Sequence, residues 1–423
     1  MFVALAVLIA FGAPVAVALG IVSLAAIYSF TGSWLEVSRL IAATAYDGLR
    51  DDIIIAIPLL MLMGELIARS GAVTDVFRAA SRALRDVSGG PALAASVGNA
   101  LSAFVAGSST AGAAGVTRVT YGGLRRRGDD RATSLGTLTS ASVLGMLLPP
   151  SVLMVASGIL TRQPVGAIFL AMLVPVLLVV IAFAVSVLAV GIKPAKAPST
   201  HQEPLAPPPR VWTSVIGIGL AFAVVVVGAG ARLLSVAEAA SLGAAIGLAM
   251  ALSKGMRPAT IVEAILVVGR ASAPILLLIF AGLLYAQALA VTGTGAAVVG
   301  AFGAFGAVGA LAAMIAIWLV LVTVLDALST VALTAALFVP AASTVGIDPL
   351  ALAVIGILVL EGGLLLPPLG LLVFTIRAAA GEERVPVFDI FRHVLPMVTI
   401  LIAATLMIAI VPKVAIWLPN LVD

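Results

Sequence analysis

Residues 271–325 carry no charged side chain, and neither do residues 163–192 or 211–231. A helix crosses the hydrocarbon core of a bilayer with about 20 consecutive apolar residues, so each run holds at least one crossing. In lipid the backbone must satisfy its own hydrogen bonds, which leaves helices and closed barrels as spanning structures. These runs are continuously apolar and lack the alternation of a barrel strand, so the chain is expected to be an all-α polytopic membrane protein. Composition agrees: 62% of residues are hydrophobic and 10% charged, with a mean hydropathy of +1.25, beyond soluble domains. The net charge of +4 then reads as Lys and Arg in cytoplasmic loops rather than as a nucleic-acid surface. With no cysteine there is no disulfide or thiol nucleophile, and the two histidines, His201 and His393, are too far apart to suggest a metal site. A membrane enzyme finds no support, since neither a phosphate-binding loop nor an intramembrane cluster of His, Asp or Cys is present. The amino-terminal stretch MFVALAVLIAFGAPVAVALG lacks the basic region of a cleaved signal, so it reads as a retained first helix.

Residues 192–210, IKPAKAPSTHQEPLAPPPR, contain six prolines and form the longest polar stretch. Such sequence neither buries a face nor stays in lipid, so 193–210 is a linker between membrane regions 1–192 and 211–423. The two regions match each other. GMLLPPSVLMV at 145–155 and GLLLPPLGLLV at 363–373 share seven residues at an offset of 218. At the same offset Gly64 falls on Gly282, and Ser108 in AGSSTAG falls on Asp326 in VLDALST. Apolar low complexity explains matched leucines; it does not explain paired prolines in register, so the chain is read as an internal repeat.

A Pro-Pro pair removes two backbone donors and clashes with the preceding turn, ending a helix in mid-run. At membrane depth such a break is tolerated where protein or a polar cavity serves the freed groups. Interrupted helices at corresponding places in two repeats point to a transporter's binding site; a single proline kink packed between helices is the plainer alternative. The small, hydroxylated segment 107–115, GSSTAGAAG, permits close helix packing, and its turn also offers hard oxygen ligands. Asp326 is the one charge between Arg270 and Asp348. It is both a candidate site residue, because charge at that depth is costly, and a candidate N-cap for a helix at ALST. Glu361 either faces the same cavity or pairs with an arginine near an interface.

The stretches IPLLMLMGELIARSG (57–71), AGSSTAGAAG, LGMLLPPSVLMVASGIL (144–160) and LEGGLLLPPLGLLVF (360–374) resemble the large membrane subunit of tripartite ATP-independent periplasmic (TRAP) transporters, of the DctM type, within the ion-transporter superfamily. The resemblance runs from the first helix to the end of the chain, and the two PP motifs are its most specific part. It implies two inverted-topology repeats, each with a re-entrant helical hairpin and a broken transmembrane helix, and an elevator-type movement. It implies Na+ as coupling ion with no organic cofactor, uptake of an organic acid, and residence in the bacterial inner membrane. The implied partners are a small four-helix membrane subunit and a periplasmic substrate-binding protein. A stand-alone sodium-coupled dicarboxylate- or citrate-type carrier of the same superfamily is the alternative. Two departures stand out: Leu366 and Leu369 flank the second PP pair where the family usually reads TPPVG, and Ala327 follows Asp326 where a proline is common.

These readings place helices over 2–29, 52–69 and 165–192, an interfacial segment near 34–47 and an amphipathic arm near 72–86. Hairpins are expected over 91–126 and near 295–340, and broken helices over 130–160 and 349–380. A first sodium site is expected from Gly107, Ser108 and Ser109 with Gly145, Leu148 and Pro149. A second is expected from Asp326, Ser329 and Thr330 with Gly363, Leu366 and Pro367. No Lys or Arg lies near either PP pair, so a carboxylate substrate is expected at half-helix N-termini restarting at Pro150–Ser151 and Pro368–Leu369. Ser108, Ser109 and Ser151 would lie near it, with Ser151 equally suited to plain capping.

Overall fold

The structure, a computed structural model, describes residues 1–50, 52–107, 109–126, 129–190 and 211–422. The described residues form twenty helices and no strand. The first half holds α1 (Phe2–Ala10), α2 (Val15–Thr31), α3 (Trp34–Arg50), α4 (Ile53–Arg69), α5 (Ala72–Ala83), α6 (Gly90–Ala106), α7 (Ser109–Arg126), α8 (Arg131–Leu147), α9 (Val152–Thr161) and α10 (Val165–Val190). The second holds α11 (Val211–Gly230), α12 (Val236–Ser253), α13 (Pro258–Val291), α14 (Thr294–Gly303), α15 (Gly306–Val322), α16 (Ala327–Thr344), α17 (Pro349–Gly363), α18 (Leu371–Ala380), α19 (Val387–Ile410) and α20 (Lys413–Asn420). The expected linker 193–210 lies outside the described residues.

Six helices, α10, α11, α12, α13, α16 and α19, are long and apolar enough to cross a bilayer. Two bent pairs add to these, α4 with α5 at 58° and α8 with α9 at 48°. Lipid-facing surface follows the same logic: Leu177, Ile181 and Val185 of α10 are exposed, as apolar side chains on a bilayer-facing stripe should be.

The sequence offset carries into the element bounds. α7 begins at Ser109 and α16 at Ala327, while α8 begins at Arg131 and α17 at Pro349. Packing is reciprocal as well. α7 packs on α18 and α16 on α9, so each hairpin's second helix meets the half-helix beyond the other half's break. Likewise α4 packs on α12 and α13 on α2.

Three expectations are corrected. The helix read over 2–29 is two helices, because Gly12 at φ +84 and Pro14, which supplies no N–H, separate α1 from α2. The hairpin read near 295–340 is displaced: α14 is a separate helix packed on α16, and the hairpin is α15–α16, turning at 323–326. Its turn forms there because Asp326 caps α16 by accepting from the Ser329 amide. The arm α5 ends at Ala83, and it is tied to the second half by a part-buried polar contact. Asp75 accepts from Ser214 Oγ of α11 at 2.9 Å and pairs with Lys254 at the end of α12.

Candidate functional site

The first hairpin turns at Gly107, whose φ of +63 ends α6 in the left-handed region that glycine enters without steric cost. Its turn lies against the first break: a Cβ on Gly107 would stand 3.1 Å from Val152 Cγ2, at the start of α9. Gly145, in the last turn of α8, lets the same hairpin approach from the side, since a Cβ there would be 2.5 Å from both the Ala100 carbonyl oxygen and the Phe104 amide nitrogen. The turn of hairpin one and the first break, far apart in sequence, are therefore adjacent. Ser108 lies outside the described residues. Ser109 is the first residue of α7, buried, and hydrogen-bonded to Glu361.

Pro149 and Pro150 interrupt α8 with a cis peptide bond between them. Neither has an N–H, so the carbonyls of Gly145 and Met146 lose their helical donors. Among the described residues no backbone donor replaces them. Leu148 takes an extended conformation, and Ser151 caps α9 by accepting from the Met154 amide at 3.3 Å. Ser151 is 2% exposed and its capping role is thus observed. Ser151→Ala is expected to cost about 1 kcal/mol of stability, the ordinary worth of such a cap, read as a small fall in the thermal midpoint. A midpoint equal to wild type would assign the serine to something other than capping.

The second break is built differently. Pro367 and Pro368 are also cis, but the gap is wider and α18 restarts at Leu371, not at Pro368–Leu369. The position matching Ser151 is Leu369, which has no hydroxyl to cap a helix; Gly370, at φ +45, begins α18 instead. The carbonyls at this break, including Gly363 O and Leu364 O that lose their helical donors to Pro367 and Pro368, are bonded locally. Gly363 O accepts from Leu366 N at 3.0 Å, Leu366 O accepts from Gly370 N at 2.9 Å, and Leu364 O accepts from Leu372 N at 3.4 Å. Pro367, Pro368 and Leu369 are exposed, whereas Pro149, Pro150 and Ser151 are buried.

In hairpin two, Asp326 caps α16 with both carboxylate oxygens. Oδ1 accepts from the Ser329 amide at 2.9 Å and Oδ2 from Ser329 Oγ at 2.7 Å, while Thr330 Oγ1 donates to the Asp326 carbonyl at 2.9 Å. Ser329 and Thr330 are buried. This hairpin also meets the second break, because a Cβ on Gly363 would stand 2.1 Å from Val322 Cγ1 at the end of α15. The last turn of α17 thus receives both hairpins: hairpin one through Ser109 on Glu361, hairpin two through Val322 on Gly363.

This arrangement carries the whole chain's resemblance to known transporters. The family described as "Tripartite ATP-independent periplasmic transporter, DctM component" matches residues 2–414. The chain belongs to the DctM component family. The C4-dicarboxylate TRAP transporter large permease protein DctM of Pseudomonas aeruginosa is 27% identical over 87% of this chain and 86% of its own length. The sialic acid TRAP transporter large permease protein SiaM of Vibrio cholerae is 25% identical over 88% of each chain. The fold resembles that of the Alcanivorax borkumensis YdaH transporter, with a TM-score of 0.61, 15% identity, and coverage of 88% of this chain and 86% of the other. The protein is accordingly a multi-pass inner-membrane permease subunit of the TRAP class and not an enzyme.

The structure adds to the sequence reading of this DctM-family chain at two places. Asn99 of α6 is fully buried and its Nδ2 donates at 3.1 Å to both the Leu138 carbonyl and Ser142 Oγ, tying hairpin one to α8. An asparagine inside LAASVGNALSAFV was the available signal, since a polar amide in an apolar helix needs partners. The second is Glu361: its partner is the Ser109 hydroxyl rather than an arginine, and no ion pair forms there among the described residues.

Proposed function

We propose that this permease subunit couples inward sodium movement to uptake of a carboxylate, handed over by a periplasmic binding protein, in complex with a small four-helix membrane subunit. The observation that supports it most is the first hairpin turn lying against the first PP break, with Gly107 beside Val152. There, among the described residues, the Gly145 and Met146 carbonyls receive no backbone donor, Ser109 of the same hairpin is buried, and no Lys or Arg lies in either hairpin turn or PP segment. Hard oxygen ligands without competing cations suit an alkali ion, and a bound ion with half-helix N-termini supplies the positive field an anion needs. The first site, Gly107, Ser108, Ser109, Gly145, Leu148 and Pro149, is the better supported, because the second break re-uses its Gly363 and Leu366 carbonyls internally. The second site keeps Asp326, Ser329, Thr330, Gly363, Leu366 and Pro367 as its proposed members. Substrate contact is assigned to Ser108, Ser109, Ser151, Pro150 and Pro368. Reciprocal packing of the halves supports inverted repeats and an elevator movement of the hairpins against α2, α4, α12 and α13.

The substrate class rests on the relatives, one named for C4-dicarboxylates and one for sialic acid, both carboxylates. The test is uptake by the reconstituted three-part system in liposomes, with C4-dicarboxylates and sialic acid as probes. Accumulation is expected with an inward sodium gradient and not with potassium or choline. Equal uptake in all three salts would sink sodium coupling, and uptake without the binding protein would favour a stand-alone carrier.

A further inference from the structure

The arm α5 is amphipathic, but its apolar face is turned to protein and not to lipid. Ala72 and Val73 are buried. Phe77 packs against Gly98 of α6, 3.0 Å from where a Cβ there would stand, and the helix also packs on α11. The opposite face carries Arg78 and Arg82, one turn apart and exposed, with Arg85 exposed in the turn that follows. Neither Arg78 nor Arg82 has a side-chain ion pair or hydrogen bond among the described residues. Arg85 pairs with its neighbour Asp86, but the two side chains are 65% and 81% exposed, and such a pair is weak in water. Asp75, the one acid of α5, is already neutralised by Lys254. The outward field of the arm is therefore that of its arginines.

A row of exposed charge on a helix is ordinarily a solvated face; depth distinguishes this one. Asp75 accepts from Ser214 Oγ at 2.9 Å. Two residues before Ser214 stands Trp212, 75% exposed at the start of the membrane-crossing helix α11. Tryptophan gathers where a crossing helix meets the headgroups, and two residues are only about 3 Å of helix rise. The first turn of α5 is thus at headgroup level. From Asp75 to Arg82 the arm runs about 10 Å. It turns 58° from α4, so its climb along the direction of α4 is about 5 Å, the thickness of one headgroup layer. The same end of α4, α11 and α12 gathers Arg69, Lys254 and Arg257 besides the arm's arginines, whereas Arg50 and Arg232 lie at the other end. By the positive-inside rule the arm end is cytoplasmic.

We propose that Arg78 and Arg82, with Arg85 beside them, bind the phosphate groups of anionic phospholipids in the cytoplasmic leaflet. A guanidinium takes a phosphate through two parallel N–H···O bonds, and an anionic leaflet draws basic side chains held near its surface. With its apolar face packed on α6 and α11, the arm meets lipid through its charges instead of by dipping apolar side chains into the bilayer. The site rests on the chain's place in the membrane and not on the sodium or substrate reading, so it stands or falls apart from them.

The test is native mass spectrometry of the full-length protein in micelles titrated with phosphatidylglycerol or with zwitterionic phosphatidylcholine. The first phosphatidylglycerol should bind more tightly than phosphatidylcholine, and the preference should shrink as salt is raised and charges are screened. Each basic side chain near an anionic surface contributes about fivefold to binding. Arg78→Gln and Arg82→Gln should each weaken the first phosphatidylglycerol by about that factor, and the double variant by more. Both side chains are exposed, so each variant should keep the wild-type thermal midpoint. The control, Arg50→Gln with Arg162→Gln, removes the same charge away from the arm and should keep the preference. Wild-type affinity in the double variant, or an equal loss in the control, overturns the site. Displacement of the lipid by millimolar inorganic phosphate would assign the arginines to a soluble anion and overturn the lipid reading.

Discussion

Gly145→Ala is expected to leave little folded permease. The added carbon would stand 2.4 Å from Ala103 Cβ and 2.5 Å from two backbone atoms of α6, the Ala100 carbonyl oxygen and the Phe104 nitrogen. Side chains yield by changing rotamer; backbone atoms in a hydrogen-bonded helix do not. Nor has α6 anywhere to go, because α4 presses on it from another direction. A Cβ on Gly64 would lie 1.8 Å from the Val105 carbonyl oxygen. Separating α6 from α8 would also break the bonds from Asn99 to Leu138 and Ser142, leaving a buried amide unpaired. Overpacking ordinarily costs about 1–3 kcal/mol, and this substitution should reach or exceed the top of that range. The check is thermal unfolding in detergent beside Gly219→Ala in α11, where nothing lies within 4 Å of the added carbon. The control should match wild type or improve slightly, since alanine favours a helix over glycine. If Gly145→Ala melts with its control, the close approach of hairpin one to α8 is wrong.

Asp326→Asn separates two roles that alanine would confuse. Asparagine caps helices as well as aspartate, so Oδ1 keeps its bond from the Ser329 amide, and the amide nitrogen can donate to Ser329 Oγ in place of accepting from it. The thermal midpoint should stay at its wild-type value. The charge is gone, however, and a sodium site that relies on it should weaken. Sodium-driven uptake is expected to fall at least about tenfold, or 1.4 kcal/mol. Asp326→Ala should lose uptake and, in addition, the roughly 1 kcal/mol of the cap. Wild-type uptake by Asp326→Asn would reduce this carboxylate to a cap and remove the second sodium site from the proposal.

The sequence by itself determined what depends on local chemistry. Uncharged runs too long for a soluble core force helices into lipid, and a proline pair stops a helix wherever it stands. Those facts placed the breaks between Leu147 and Val152 and after Gly363, and the two proline pairs fall at one offset of 218. The substitution of Ser151 by Leu369 was also legible, though its consequence was not. Only the folded chain showed that a leucine there leaves α18 without a side-chain cap, so the second break unwinds further and turns its carbonyls on itself. What tertiary structure alone decided is which distant groups meet. Ser109 and Glu361 belong to opposite halves, and no periodicity links them; their bond exists because hairpin one folds onto the end of α17. In the sequence Gly64 reads only as a match to Gly282, and Gly145 only as a candidate ligand beside the first PP pair. They became indispensable only when α4 and α8 closed on α6 from two directions, since a backbone contact has no side-chain signature in the partner strand of sequence that makes it.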